Sequence, residues 1–180
     1  MKILDFVGER NLEESAGLEV EVLIADYQDV EGWPTAPDIL TGDKNEEYVI
    51  ASGAFTMKEG TKFHRFQGSL EKNSFVSNLV GPRGAKSPEN TLTIQRNAAN
   101  ASLTGWIRAN RNRELVVAFR FLGETLYSVI GWQNLWAEVD EGTIDVPGEI
   151  SGEKMTMVTI RSIFHFPYRI DAIPLTPAVA

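Results

Sequence analysis

The clearest pattern along the chain is a predicted β-hairpin with apolar residues on both faces, VVAFRFLGETLYSVIGW at 116–132. In its first strand, two sets of apolar side chains alternate: Val117, Phe119 and Phe121 with Val116 and Ala118. A strand with one face in water alternates apolar and polar residues more cleanly than this. The pattern therefore predicts that the hairpin is a central layer of the fold, or that one of its faces meets another protein chain.

Three other segments predict single strands. LEVEVLI at 18–24 alternates apolar and acidic residues, as a strand with one wet face does. TLTIQRN at 91–97 is rich in β-branched residues, and MTMVTIRSIFHFPYRI at 155–170 has the composition of a long strand. Because proline cannot donate a backbone hydrogen bond, the long strand is expected to end at Pro167.

A second strand pair is predicted between the first strand and the middle of the chain. The segments 47–57 and 62–70 flank the turn sequence Lys-Glu-Gly-Thr at 58–61. Phe63 and Phe66 are the expected buried anchors of this pair. The two segments should therefore pair with each other as a hairpin.

Four segments are rich in the residues of turns and loops. Residues 25–47 contain prolines, glycines and acids, and residues 72–90 contain Gly, Pro, Ser and Asn. Residues 135–154 read as a loop with turns, and the tail 171–180 contains proline and is expected to lie on a surface or to be disordered. The segment 72–90 has little apolar area to offset the entropy of ordering, so we expect it to be irregular, exposed and mobile.

One helix is predicted at about 98–114, with Asn100 or Ser102 as its N-cap. Its apolar stripe is narrow and needs a sheet beneath it, so its tryptophan is expected to pack against the hairpin, on Phe119 or Phe121. The stripe consists of Leu103, Trp106 and Ile107.

The sum of these elements indicates a mainly β protein of the α+β kind. About seven to eight strands in a β-sandwich or barrel, flanked by one main helix, account for the pattern. A length of 180 residues suits one domain, 1–180, that can bury a substantial core.

Composition and charge narrow the classes of function. The formal charge is −8, which argues against binding of nucleic acid through its phosphates. There is no cysteine, which excludes disulfides and thiolate chemistry. The N-terminus has no apolar run of signal-peptide length, so we expect a cytoplasmic site of synthesis, and no apolar run is long enough to suggest a membrane partner.

No candidate for catalysis or cofactor binding stands out. GPRGAKS at 81–87 only superficially resembles a phosphate-binding loop, because Ala85 separates Gly84 from the lysine. His64 and His165 lie in strand-like segments and are expected on their polar faces, without a placed carboxylate to complete a metal site. We therefore expect no catalytic, cofactor-binding or metal-binding residue and no enzyme activity.

The four tryptophans leave a sugar-binding function open, because aromatic platforms bind sugars in many β-sandwich modules. Trp106 and Trp132 fall on apolar faces, which favours the core. Trp33 and Trp136 lie near loops and keep a carbohydrate-binding module as an alternative.

The order of elements resembles the tail tube proteins of bacteriophages and prophages. An early strand running into IADYQDVEGWP, a long middle loop and one helix precede the hairpin and a late strand. The resemblance covers residues 17–170, and Gly123 and Gly131 match the turn and strand-end glycines of the family's hairpin. FRFLGET departs from the family pattern, since it lacks the usual Asp or Asn before the glycine.

The resemblance implies a structural subunit of a virion tail that assembles in the host cytoplasm. Six copies would close into a ring, rings would stack through long loops and contact other tail proteins, and DNA would pass through the lumen without specific binding. A type VI secretion tube-like protein is a related alternative. The exposed loop is the expected assembly loop, and its residues are Gly81, Pro82, Arg83, Gly84 and Lys86.

Overall fold

The computed structural model describes residues 17–40, 44–148 and 153–177. These residues form eleven strands and one α-helix, with two short 3₁₀ turns at Tyr27–Asp29 and Asn45–Tyr48. The elements are β1 (Leu18–Asp26), β2 (Val30–Gly32), β3 (Thr56–Met57), β4 (His64–Gln67), β5 (Ser74–Val80), β6 (Ser87–Arg96), α1 (Ala101–Asn110), β7 (Leu115–Phe121), β8 (Tyr127–Ile130), β9 (Glu138–Asp145), β10 (Met155–Ile163) and β11 (Tyr168–Ile170).

The strands form three antiparallel sheets. A five-stranded sheet has the order β11-β8-β7-β1-β4, a four-stranded sheet has the order β5-β6-β10-β9, and β2 pairs with β3. The two larger sheets pack face to face with α1 beside them, so the predicted mainly β sandwich with one helix is confirmed. The number of strands exceeds the predicted seven to eight, because the three predicted loops 25–47, 72–90 and 135–154 each contain a strand. The predicted long strand 155–170 is also two strands in different sheets, with β10 ending at Ile163 instead of Pro167.

The strand β7 lies at the centre of the fold and is buried on both faces by this chain. Val117 and Phe119 face the four-stranded sheet and share a cluster with Leu92 and Ile160. On the opposite face, Val116 and Ala118 share a cluster with residues from the loops and the C-terminal segment, including Phe55, Phe63 and Ile173. The apolar residues on both faces are therefore explained by a central layer within the chain.

The segment 72–90, predicted as an irregular loop, is instead most of a β-hairpin. Its strands β5 and β6 pair from Ser74–Thr93 to Val80–Ser87, and only 81–86 forms the turn. Buried and partly exposed residues alternate along β6, but the buried positions in this segment are Pro88 and Asn90. This segment is rich in residue types that are typical of turns, so its composition did not indicate the two strands.

The segment 135–154 was also predicted to be a loop, and it contains β9. The strand is acidic and exposed along most of its length, and it is held by β10. Pairing with β10 stabilises this strand, and the local composition of the segment does not show that pairing.

The predicted pairing of 47–57 with 62–70 is wrong, although the turn between them forms. The Thr61 N–H donates to the Lys58 carbonyl at 3.0 Å. Beyond that turn the strands separate, because β3 pairs with β2 and β4 pairs with β1. The expected anchors Phe63 and Phe66 are both buried.

The C-terminal segment lies on the surface. It covers the hydrophobic cluster around Val116 and Ala118, on the face of β7 that points away from the four-stranded sheet, which we call the outer cluster. The Phe63 N–H donates to the Pro174 carbonyl at 3.1 Å, and Ile173 is buried. Residues 178–180 of the predicted tail, like 41–43 of the predicted loop 25–47, lie outside the described residues.

Candidate assembly surface

The outward face of the four-stranded sheet is the most distinctive surface of the molecule. Strand pairing fixes which side chains share that face, because directly paired residues point to the same side. Val76 pairs with Thr91, and Thr91 pairs with Arg161, which in turn pairs with Glu138. The face mixes polar and apolar residues. Its uncharged polar members are Ser74, Asn78, Ser87, Thr91, Thr93, Gln95, Thr143 and Thr159, and its apolar members are Val76, Val80, Met155, Met157 and Ile163.

The charged residues on this face are mostly carboxylates. Arg161 lies among them and forms an ion pair with Glu89, with the nitrogen and oxygen 2.9 Å apart. The three remaining carboxylates that the pairing places on this face belong to β9: Glu138, Glu141 and Asp145. The face thus carries a net negative charge, in keeping with the charge of the whole chain.

The edge strand β5 bears no charged side chain, which is unusual for a free edge. Its sequence is SFVSNLV, and Val76 is 50 % exposed. Natural sheets guard exposed edges with charge, proline or a covering segment, since an unguarded edge can pair with another chain. Strand β5 has none of these protections among the described residues.

The other three edges of the two larger sheets differ from β5. Strand β9 is acidic along its length, and β4 is short and includes His64 and Arg65. Strand β11 is covered by an extended segment, where the Ala51 N–H donates to the Arg169 carbonyl at 2.9 Å. Among the edges of the two larger sheets, β5 is therefore the one that lacks charge, shortness and a covering segment.

The predicted assembly residues lie at the tip of the β5–β6 hairpin and are all exposed. The Ala85 N–H donates to the Pro82 carbonyl at 3.0 Å and closes the turn. Gly81 has φ of 116°, and a Cβ there would lie 2.5 Å from the Ala85 carbonyl oxygen, so this turn requires glycine. The tip is a defined turn rather than a long irregular loop, and its charged residues are Arg83 and Lys86.

The five residues predicted to join helix and sheet belong to one hydrophobic cluster, namely Leu103, Trp106, Ile107, Phe119 and Phe121. The closest aromatic contact of Trp106, however, is Phe66 on β4, with ring centroids 4.7 Å apart. Phe119 instead contacts Phe75 at 4.8 Å. The contact of Trp106 with Phe66 thus replaces the expected contact with Phe119 or Phe121. The reason is that the short connection from α1 into β7 holds the helix over the start of β7 and over the edge strand β4.

The helix is positioned by its cap and by close packing on β9. The Asn100 side chain accepts a hydrogen bond from the Leu103 N–H at 3.0 Å, so Asn100 is the N-cap. Ile107 packs against Gly142, and a Cβ atom at position 142 would lie 2.9 Å from the Cγ2 atom of Ile107. Helix α1 therefore spans the gap between β4 and β9 at one side of the sandwich, and it is shorter than the predicted 98–114.

The tryptophans do not form an exposed platform. Trp33 and Trp132 pack against each other and Phe55 in the outer cluster, with centroid distances of 5.6 to 5.8 Å. Trp136 is 43 % exposed and contacts Tyr27. Trp106 is half-buried and lines a cleft of about 190 Å³ with Asp29, Asn110 and Arg113.

The two histidines lie in different environments. His64 is exposed on β4, as expected, but His165 is buried, against expectation. Its ring stacks on Tyr168 with centroids 4.6 Å apart, and its Nδ1 contacts the Phe166 carbonyl at 2.8 Å. Burial lowers the pKa of His165, only partly opposed by that hydrogen bond. Across the part of the chain that the structure describes, no three His, Asp or Glu side chains are grouped to hold a metal ion.

Sequence reasoning missed the surface that the fold assembles from β5, β6, β9 and β10, since two of these strands were read as loops. The available signal was weak: alternation of hydroxyl and apolar residues in 87–96. Among the described residues, no helix has the length and apolar content to cross a membrane. Comparison of the chain with protein-family models, with curated proteins and with solved structures found no match.

Proposed function

We propose that this protein is a structural, non-enzymatic subunit of a phage or phage-like tail tube that closes into a ring, with six copies as the expected number. The observation that carries the proposal is the outward face of the four-stranded sheet. It is a broad surface of mixed polar and apolar side chains, and its four carboxylates against one arginine give it a net negative charge. Such a face suits the wall of a conduit for DNA, because a negative wall repels phosphates and offers them no binding site.

The edges of the same sheet support a ring. Strands β5 and β9 run in opposite directions, since strand direction alternates across the order β5-β6-β10-β9. A rotation about an axis along the strands would therefore bring β5 of one copy beside β9 of the next in antiparallel orientation. Because β5 has no charged side chain, it does not repel the acidic β9. A contact between two different surfaces of the same protein closes into a ring when the rotation from one copy to the next divides a full turn.

The test is assembly in solution. The wild-type protein at high concentration is expected to give a ring-sized mass by light scattering and rings or tubes by negative-stain microscopy. Val76→Lys adds a charge to the β5 edge and should leave a folded monomer, because Val76 is half exposed and contributes little to the core. Leu122→Lys, at a similarly exposed position outside the sheet, is the matched control and should still assemble. A strictly monomeric wild type over a broad concentration range would refute the proposal.

A carbohydrate-binding module is a second candidate, favoured by the cleft beside Trp106. The cleft is lined by an indole ring together with carboxylate, amide and guanidinium groups, the side chains that hold sugars in many proteins. Glycan binding by wild type that is lost in Asp29→Ala and Asn110→Ala, with folding intact, would support this function over assembly.

A further inference from the structure

A cleft of about 410 Å³ lies between the β7–β8 turn and the segment 46–50, and neither candidate function uses it. Its volume falls within the range of roughly 300–1,000 Å³ that is typical of sites for small molecules. Such sites combine apolar walls with a few polar groups that fix the orientation of the ligand. The charged and aliphatic side chains that line this cleft are Glu46, Val49, Ile50, Glu124, Leu126 and Arg169.

Arg169 is held in place through both its backbone and its side chain. Its N–H donates to the Val49 carbonyl at 2.7 Å, and its carbonyl accepts from the Ala51 N–H at 2.9 Å. The guanidinium lies over the ring of Phe121, 4.7 Å from the ring centroid, and forms an ion pair with Glu124. A cation that is fixed in this way loses little conformational entropy when a ligand binds, so the cleft is preorganised around Arg169.

The guanidinium of Arg169 can hold a ligand carboxylate in addition to Glu124. A guanidinium carries five N–H donors in a planar fork, and the contact with Glu124 uses the terminal nitrogen Nη1. A carboxylate is the group that this fork binds best, through two parallel hydrogen bonds. The cleft therefore offers a binding position for an acid group.

Glu46 supplies a negative charge beside Arg169. The Ile50 N–H donates to the Glu46 carbonyl at 3.2 Å, and Ile50 forms a backbone bridge with Arg169, so the chain brings the two charged residues to the same cleft. Glu46 pairs with Lys44 at 3.8 Å, but both side chains are exposed, and a pair of this kind contributes little. The Glu46 carboxylate is therefore accessible to the cation of a ligand.

The charges and the walls together restrict the class of ligand. The charged lining residues and Lys44 comprise two carboxylates and two cations, which sum to zero, so the cleft favours a ligand that carries both signs over a simple anion or cation. Its apolar wall is aliphatic, and Ile50 is 41 % exposed. A branched aliphatic group would remove this apolar surface from water.

We propose that this cleft binds a small α-amino acid with a branched aliphatic side chain. The ligand carboxylate binds Arg169, and its ammonium group binds Glu46. Its side chain packs on Val49, Ile50 and Leu126. The inference is independent of the proposed tail tube function, because the cleft contains no residue of the four-stranded sheet.

The test compares L-leucine with three analogues by saturation-transfer difference NMR, which observes the ligand and works for large assemblies as well as for monomers. Leucinamide lacks the carboxylate, 4-methylpentanoate lacks the ammonium group, and glycine lacks the side chain. L-leucine should bind saturably, and each analogue should bind about tenfold more weakly, because each loses one set of contacts. Absence of saturable leucine binding, or equal affinity for leucine and either leucinamide or 4-methylpentanoate, would overturn the proposal.

Two variants of the cleft locate the binding. Arg169→Gln should bind leucine and leucinamide equally, and Glu46→Gln should bind leucine and 4-methylpentanoate equally, because each variant lacks the partner of one charged group. Glu46 is exposed, so Glu46→Gln tests the site even if Arg169→Gln lowers stability.

The matched controls are Arg108→Gln and Glu31→Gln, which remove the same charges at exposed positions outside the cleft and should bind leucine as wild type does. Leucine binding that is unchanged in both cleft variants would place the ligand elsewhere and overturn the proposal. Rings or tubes without leucine binding would refute this site and leave the tail tube function standing, whereas leucine binding by a strict monomer would support the site and refute the tube.

Discussion

The indole of Trp106 on α1 packs edge to face on the phenyl ring of Phe66 on β4, with an interplanar angle of 62°. Phe66 lies opposite Val22 on β1, and Val22 lies opposite Phe119 on β7. The helix is therefore tied to the central strand through a row of side chains across the five-stranded sheet, and not by direct contact with the central hairpin.

Trp106→Ala is expected to destabilise the protein by about 2–3 kcal/mol, below the roughly 3–5 kcal/mol for a fully buried aromatic because Trp106 is half-buried. The change should lower the thermal midpoint and the urea midpoint together. Trp136→Ala, which removes an exposed tryptophan, is the control and should cost less. A Trp106→Ala protein of unchanged stability that loses affinity for a glycan would show that the side chain serves binding instead of packing.

Replacement of the hairpin tip 81–86 by Asn-Gly should leave the monomer folded. Val80 and Ser87 pair directly, and a two-residue turn of this type suits the strands that flank it. The thermal midpoint should change little, while tube length in negative stain should fall because Arg83 and Lys86 are lost. Unfolding of this variant would mean that the tip is required for the hairpin itself, and tubes of normal length would remove it from assembly.

The sequence predicted the elements whose side chains alternate by hydrophobicity, such as β1 and the central hairpin. It failed where the alternation is carried by polar residues, as in β6, where Asn90 occupies an interior position because Ser77, Ser162 and a backbone carbonyl satisfy it. Strict alternation along the hairpin would also put Ile130 and Trp132 on one face. Gly131, with φ of 82°, turns the chain between them, and they lie in different clusters. These features depend on partners distant in the chain, so local patterns could not predict the outward face of the four-stranded sheet.

Asn90→Ala should cost about 2–4 kcal/mol. The side chain is fully buried, and its loss leaves the Ser77 hydroxyl, the Ser162 hydroxyl and the His165 carbonyl without their partner. Asn78→Ala, at an exposed position on the same hairpin, is the matched control and should be nearly neutral. The two urea midpoints measured side by side decide the question, and equal values would contradict the role assigned to Asn90.

Acidification should destabilise the protein through His165. Burial lowers the folded-state pKa of His165, whereas the unfolded chain binds the proton with a pKa of about 6.5. Below about pH 6.5 the unfolded state therefore binds more protons than the folded state, and stability falls as pH drops toward the folded pKa. A carbonyl oxygen only accepts hydrogen bonds, so the bond to the Phe166 carbonyl requires a proton on Nδ1 of His165. In the neutral ring the buried Nε2 then carries no proton, and it has no hydrogen-bond partner.

The groups that face the ring are Tyr168, stacked on it, and Trp132 at its edge, and neither carries a compensating negative charge near neutral pH. His165→Phe keeps an aromatic ring in the site and removes the titration. Urea midpoints between pH 5 and 7.5 should therefore fall less steeply with acid in His165→Phe than in wild type. Identical slopes for wild type and His165→Phe would show that His165 does not govern the acid sensitivity of the fold.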